Sequence, residues 1–218
     1  MLSIECVCLA GFSVAWFSAV FLGAPPQLFD PQGTKFLGRW IHLTYWSNVS
    51  GVVFFATSVA DATMFGDRRR QFLLCLFPLI FGAGCFLTLA YYGLDHFNAE
   101  SIRKKERCRG VRPYIFWNDH LAHGHALPLV LLHAATLEAP PGLRLPTSSD
   151  ALFYVPIWIM CYLVTTHVNR WATGLWPYPI IDEVTRAGGA AARCGFFAVL
   201  AAALTAFALA GVQLVHLR

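Results

Sequence analysis

Apolar residues along this chain do not alternate with polar ones at the period of an amphipathic helix or a strand. They gather instead into six long runs separated by short polar connections. At about 1.5 Å per helical residue, runs of this length match the ~30 Å hydrocarbon core of a bilayer. The pattern predicts transmembrane helices over about residues 2–22, 40–60, 72–94, 118–137, 151–169 and 194–217. Glu5 is the only charge in the first run, and the second, third, fifth and sixth carry no Asp, Glu, Lys or Arg. The fourth is the most polar, interrupted by His123, His125 and His133, and Pro128 predicts a kink there. The expected fold class is therefore all-α: a polytopic membrane protein, a bundle of about six transmembrane helices, forming one domain over residues 1–218. An even number of spans puts both termini on one side.

Composition agrees: 57% hydrophobic residues, 13% charged residues and a mean hydropathy of +0.55 exclude an ordinary soluble domain. No basic residue precedes the first run, and Pro25-Pro26 follow Gly23-Ala24 directly, so it reads as a span rather than a secretory signal peptide. Of the seven cysteines, Cys6, Cys8, Cys75, Cys85, Cys161 and Cys194 lie in or beside apolar runs without a CxxC pair, and read as small hydrophobes. Cys108 reads as a free thiol in a basic loop.

The net charge of +4 comes mainly from Arg68-Arg69-Arg70 and the series Arg103, Lys104, Lys105, Arg107, Arg109 and Arg112. No aromatic-rich soluble surface accompanies these clusters, so they are not a nucleic-acid signature. Eleven Lys and Arg fall on the face bearing the first, third and fifth loops, against five on the other. The positive-inside rule then places the odd-numbered loops in the cytosol.

That same face collects the polar residues within the spans. Helix two brings His42, Thr44, Ser47 and Asn48; helix four brings Asp119, His120, His123 and His125; helix five ends with Thr165, Thr166, His167 and Asn169. Such side chains often serve only to bond neighbouring helices. Several histidines at one depth in lipid nevertheless suggest a site, because each needs a polar partner. Helical spacing sorts them: Thr44 shares a face with Ser47 and Asn48, and His120 with His123, while His125 points away. A threonine hydroxyl on one helix and an imidazole on another are the minimum equipment for nucleophilic catalysis. Two other readings draw on the same residues: a metal-dependent hydrolase using His42, His120, His123, His167 and Asp119, and a non-enzymatic multi-pass transporter or carrier.

Three segments favour the first of these readings. Trp40-Ile41-His42-Leu43-Thr44 resembles the Trp-x-x-Leu-Thr entry to the second helix of the androgen-induced family of membrane hydrolases, which includes the androgen-dependent TFPI-regulating protein. Asp119-His120-Leu121-Ala122-His123, followed by Leu127-Pro128, is similar to that family's Asn-His-x-x-His segment, with Asp119 in place of the asparagine. Thr173-Gly174-Leu175-Trp176-Pro177-Tyr178-Pro179 is similar to its Thr-Gly-x-Trp-x-Tyr-Pro connection. The resemblance implies a threonine hydrolase in the lipid bilayer, cleaving fatty acid esters of hydroxy fatty acids without metal or other cofactor. Matching motif to motif puts the nucleophile on Thr44 and the base on His123, with a long-chain lipid ester as substrate. His120, one turn back, is then expected to orient His123, and Asn48 or Ser47 to donate to the developing oxyanion.

Overall fold

The computed structural model describes residues 3–22, 36–64 and 67–217. The expected helix start at Leu2, the Pro25-Pro26 step, Lys35 and Arg218 lie outside the described residues. Helix α1 spans Ile4–Phe17 and continues as a π turn over Ser18–Leu22; its N-cap, Ser3, accepts from the Cys6 N–H. A 3₁₀ turn, Gly38–Ile41, leads into α2, Leu43–Met64. Helix α3, Asp67–Ala90, also widens into a π turn, Tyr91–Asp95. Then come α4, Ala99–Cys108; α5, Ile115–Gly124; α6, Ala126–Thr136; α7, Ser148–Thr173; and α8, Pro179–His216. Among the described residues there is no strand, and the protein is an all-helical polytopic membrane protein.

Four of these helices are long and apolar enough to cross a membrane: Ile4–Leu22, Arg68–Asp95, Ser148–Thr173 and Ile180–His216. In α3 the most apolar window is 83% buried, against 17% to 28% in the other three, so α3 is the axis of the bundle. It packs against α2, α6, α7 and α8. The expected second and fourth spans fall outside this set for identifiable reasons. Helix α2 carries polar side chains facing inward, with Ser47 and Asn48 fully buried. The fourth is divided into α5 and α6 at His125, rather than being kinked at Pro128. Pro128 sits in the first turn of α6, where it needs no hydrogen-bond partner; its missing N–H and its ring instead interrupt the ladder one turn earlier, at the Gly124 carbonyl.

Two further differences bear on the site. The basic third loop contains a helix, α4, with Lys105 and Cys108 buried on its inner side, so Lys105 is not a solvated charge, and the free Cys108 thiol is enclosed. The last helix begins at Pro179, much earlier than residue 194, because its apolar part is preceded by a polar segment with a break at Gly188-Gly189. Gly189 has φ +67° and ψ −155°, a conformation open to glycine and strained for any other residue.

Helices α3 and α8 meet through small residues. A Cβ on Gly82 would stand 2.9 Å from the Leu204 carbonyl and 3.0 Å from the Ala208 Cβ, so backbone touches backbone there. The substitution Gly82→Leu forces the two helices apart. It is expected to destabilise the protein by about 1–3 kcal/mol, read as a lowered melting temperature of the detergent-solubilised protein, whereas a leucine at the lipid-facing Gly195 leaves it unmoved.

Candidate active site

Helix α2 starts at the face that carries the third loop, and its first turn holds Thr44. Two tyrosines fix this turn. Tyr178 accepts from the Leu43 N–H at 2.9 Å, one of the first-turn donors that a helix cannot satisfy itself, and the Tyr162 hydroxyl donates to the Ile41 carbonyl at 3.0 Å. Thr44 Oγ1 then lies 2.8 Å from His123 Nε2, which comes from the last turn of α5.

The direction of that hydrogen bond follows from its other end. His123 Nδ1 lies 2.7 Å from the backbone carbonyl of Asp119. A carbonyl can only accept, so Nδ1 carries the proton, and the neutral ring has its lone pair at Nε2, facing the threonine hydroxyl. The ring is held flat as well: Tyr91 stacks on it at 4.1 Å between centroids with an interplanar angle of 11°. The Tyr91 hydroxyl donates to Asp119 Oδ2 at 2.8 Å, and Lys105 Nζ bonds the same oxygen and, at 3.0 Å, Asp95 Oδ2. Burial opposes the charge on Lys105, yet Asp119 and Asp95 outweigh it and hold its pKa above the ordinary lysine value. The ammonium therefore stays charged at neutral pH and ties α3, α4 and α5 together. The π turn at Tyr91–Asp95 is what presents both Tyr91 and Asp95 to this network.

Thr88 completes the support. Its hydroxyl donates to the His123 carbonyl at 2.6 Å and accepts from the Leu127 N–H at 3.2 Å. These two backbone groups would bond each other in an unbroken helix; Thr88 stands between them.

Thr44 and His123 both border a cavity of about 640 Å³. Most of its wall is apolar, supplied by α3, α7 and α8, while Asp95, Lys104, Lys105, Asp119 and Asp182 gather at one end. Such a site is a concave apolar chamber with a few convergent polar groups.

The remaining expected residues lie elsewhere. His120 does not touch His123; its Nδ1 is 2.9 Å from the Tyr92 hydroxyl and its ring stacks on Tyr92. The group that His123 Nδ1 meets is the backbone carbonyl of Asp119, four residues back along the same helix. Asn48 and Ser47 are buried away from the cavity wall: the Asn48 amide donates to the Ala122 carbonyl at 3.0 Å, joining α2 to α5, and Ser47 is 3% exposed. His125 is turned away, edge-on to Phe12, and His167 bonds the Leu163 carbonyl and meets the edge of Trp176. Among the described residues no three His, Cys, Asp or Glu side chains are grouped as metal ligands.

A model of the FAR-17a/AIG1-like proteins matches residues 4–216, almost the entire chain. The chain belongs to this family. No curated protein and no solved structure matches it. Membership makes it a membrane protein of the FAR-17a/AIG1-like family, and the family match covers every element that frames the cavity. Sequence reasoning did not single out Tyr91, Asp95, Lys105 and Thr88. Tyr91 and Thr88 lie in an apolar run where helical spacing marks no site, but Ser101, Lys105 and Cys108 fall on one stripe of an otherwise charged segment, and that stripe is the inward face of α4.

Replacing Thr88 by valine leaves a buried carbonyl and a buried N–H unpaired. Thr88→Val is expected to destabilise the protein by about 1–3 kcal/mol, and Thr88→Ser to restore most of that loss, both measurable by thermal unfolding monitored through tryptophan fluorescence.

Proposed function

We propose that this protein is an intramembrane threonine hydrolase of long-chain lipid esters, with Thr44 as nucleophile and His123 as general base. The observation that carries the reading is the 2.8 Å contact between the threonine hydroxyl and His123 Nε2, set in the wall of a largely apolar cavity. A hydroxyl is a weak nucleophile until a base takes its proton. His123 takes that proton at Nε2, the threonine oxygen attacks the ester carbonyl, and the imidazolium returns the proton to the leaving alcohol. Water then attacks the acyl-threonine with the same histidine as base, releasing the acid and restoring the hydroxyl.

Asp119 and Lys105 act by position and charge. The Asp119 carbonyl keeps the proton on Nδ1, its carboxylate stands 3.5 Å from the same atom, and the imidazolium formed during the reaction is stabilised by it. Lys105 holds that carboxylate in place. Thr44 is in the first turn of α2, so the developing oxyanion lies at the positive end of a helix. The family resemblance supplies the finer substrate class, fatty acid esters of hydroxy fatty acids.

Labelling with a fluorophosphonate probe, followed by identification of the modified residue, tests the reading directly. Modification of Thr44, lost in Thr44→Ala and in His123→Ala, is expected; modification of a different residue would falsify the assignment. Each single variant should lose ester hydrolysis, and the double variant should be no worse than either, because residues acting as a unit are non-additive.

The supporting residues separate in the same assay. Asp119→Ala and Lys105→Met are expected to lower kcat by tenfold or more with a much smaller change in KM, about the effect of misplacing a catalytic group. His120→Ala should stay within about threefold of wild type, since it lacks contact with the base. A larger loss in His120→Ala than in Asp119→Ala would reverse the assigned roles.

A further inference from the structure

The cavity beside Thr44 has a polar mouth and a closed far end. At the mouth stand Asp95, Lys104 and Asp182. Following α3, α7 and α8 away from it, the last residues that line the cavity are Phe86, Trp158 and Leu204. One to two turns further along the same helices, Leu79, Val155 and Ala208 are buried in a packed apolar cluster to which Phe86 and Leu204 also belong. Gly82 lets α3 and α8 touch backbone to backbone at Leu204 and Ala208, so no space continues beyond. From Asp95 to Phe86 on α3, and from Thr166 to Trp158 on α7, the lining runs for about 12–14 Å at 1.5 Å per residue.

We propose that this closed end is a gauge for the acyl chain of the ester, which lies in it with the methyl terminus against Phe86, Trp158 and Leu204. The inference rests on the hydrolase reading above and extends it to substrate orientation. An ester of a hydroxy fatty acid has a plain acyl arm and an arm that bears a free carboxylate. The closed end offers a carboxylate nothing: its lining residues are uncharged, and the one polar group at the floor, Trp158 Nε1–H, already donates to Ser50 Oγ at 3.1 Å. Burying an unpaired carboxylate there is prohibitive. The carboxylate arm therefore points to the polar mouth, which Asp95, Lys104, Asp182 and Glu183 line, and the acyl arm fills the chamber. Selection by this end of the cavity then falls on the length of the acid released from Thr44.

The full chain, reconstituted in phosphatidylcholine nanodiscs, is assayed on umbelliferyl esters from acetyl to stearoyl. The kcat/KM should rise with acyl length and fall once the chain outgrows the chamber. Leu204→Ala deepens the floor and moves the optimum to longer chains. Ala201→Phe, on the same wall, moves it to shorter ones and lowers the palmitoyl-to-butanoyl ratio of kcat/KM by about tenfold, the loss of roughly two buried methylenes. Unchanged acyl profiles in both variants would overturn the gauge, as would profiles that shift with the alcohol part at constant acyl chain. Fluorophosphonate labelling run in parallel separates the two claims. With Thr44 labelled and the profiles unmoved, only the gauge fails; with another residue labelled in the wild type, the hydrolase reading fails and takes the gauge with it.

Discussion

The arrangement depends on one hydroxyl. Thr88 occupies the gap between the His123 carbonyl and the Leu127 N–H, two groups that lipid-embedded backbone cannot leave without partners. Because that gap is filled from α3, the chain can pass from α5 to α6 with its hydrogen-bond ladder open and still remain in the membrane. The opening in turn places His123 at the last turn of α5, where its side chain meets the start of α2. A continuous helix would satisfy its own backbone, and Thr88 would have no polar hold on the segment that carries the base. The axis of the bundle and the position of the imidazole are thus fixed by the same bond.

Around it the site is layered by polarity. The inner layer is the Thr44–His123 pair; behind it lie the Asp119 carbonyl and the Tyr91 ring; behind those, Lys105 links Asp119 to Asp95. Each layer satisfies the polar atoms of the one before it. A buried ammonium between two carboxylates contributes little net stability in general, so its retention fits a role in holding geometry. The opposite end of the bundle uses a separate device: Arg144 grips Asp150, which also closes the N-terminal capping box of α7 with Thr147.

The helices and the pairing of Thr44 with His123 were legible in the sequence, for different reasons. Apolar runs of membrane length announce spans by themselves, whereas the pairing became visible only through the resemblance, since spacing relates residues on one helix and says nothing of which helix it meets. The same limit applies to the neighbours of the pair. His120 shares a helix face with His123, but its imidazole meets Tyr92 instead. Ser47 and Asn48 share the α2 face of Thr44 only approximately, and α5 takes up that face before the cavity can. Pro128 correctly marked a disturbance, but its effect falls on the carbonyl four residues earlier. Lys105 looked like one of many loop charges because the partners that bury it, Asp95 and Asp119, belong to helices on either side.

The chain order of these contacts has a consequence for how the protein is made. Asp95, Lys105 and Asp119 lie close together in sequence, so the electrostatic clamp behind His123 can close as soon as α3, α4 and α5 have left the ribosome. The first turn of α2, by contrast, is held by Tyr162 and Tyr178, which are synthesised only with α7 and the connection that follows it. During synthesis the base is therefore seated before the nucleophile is locked, and a nascent chain halted before Tyr178 holds an oriented imidazole facing a threonine whose helix end is still unpinned.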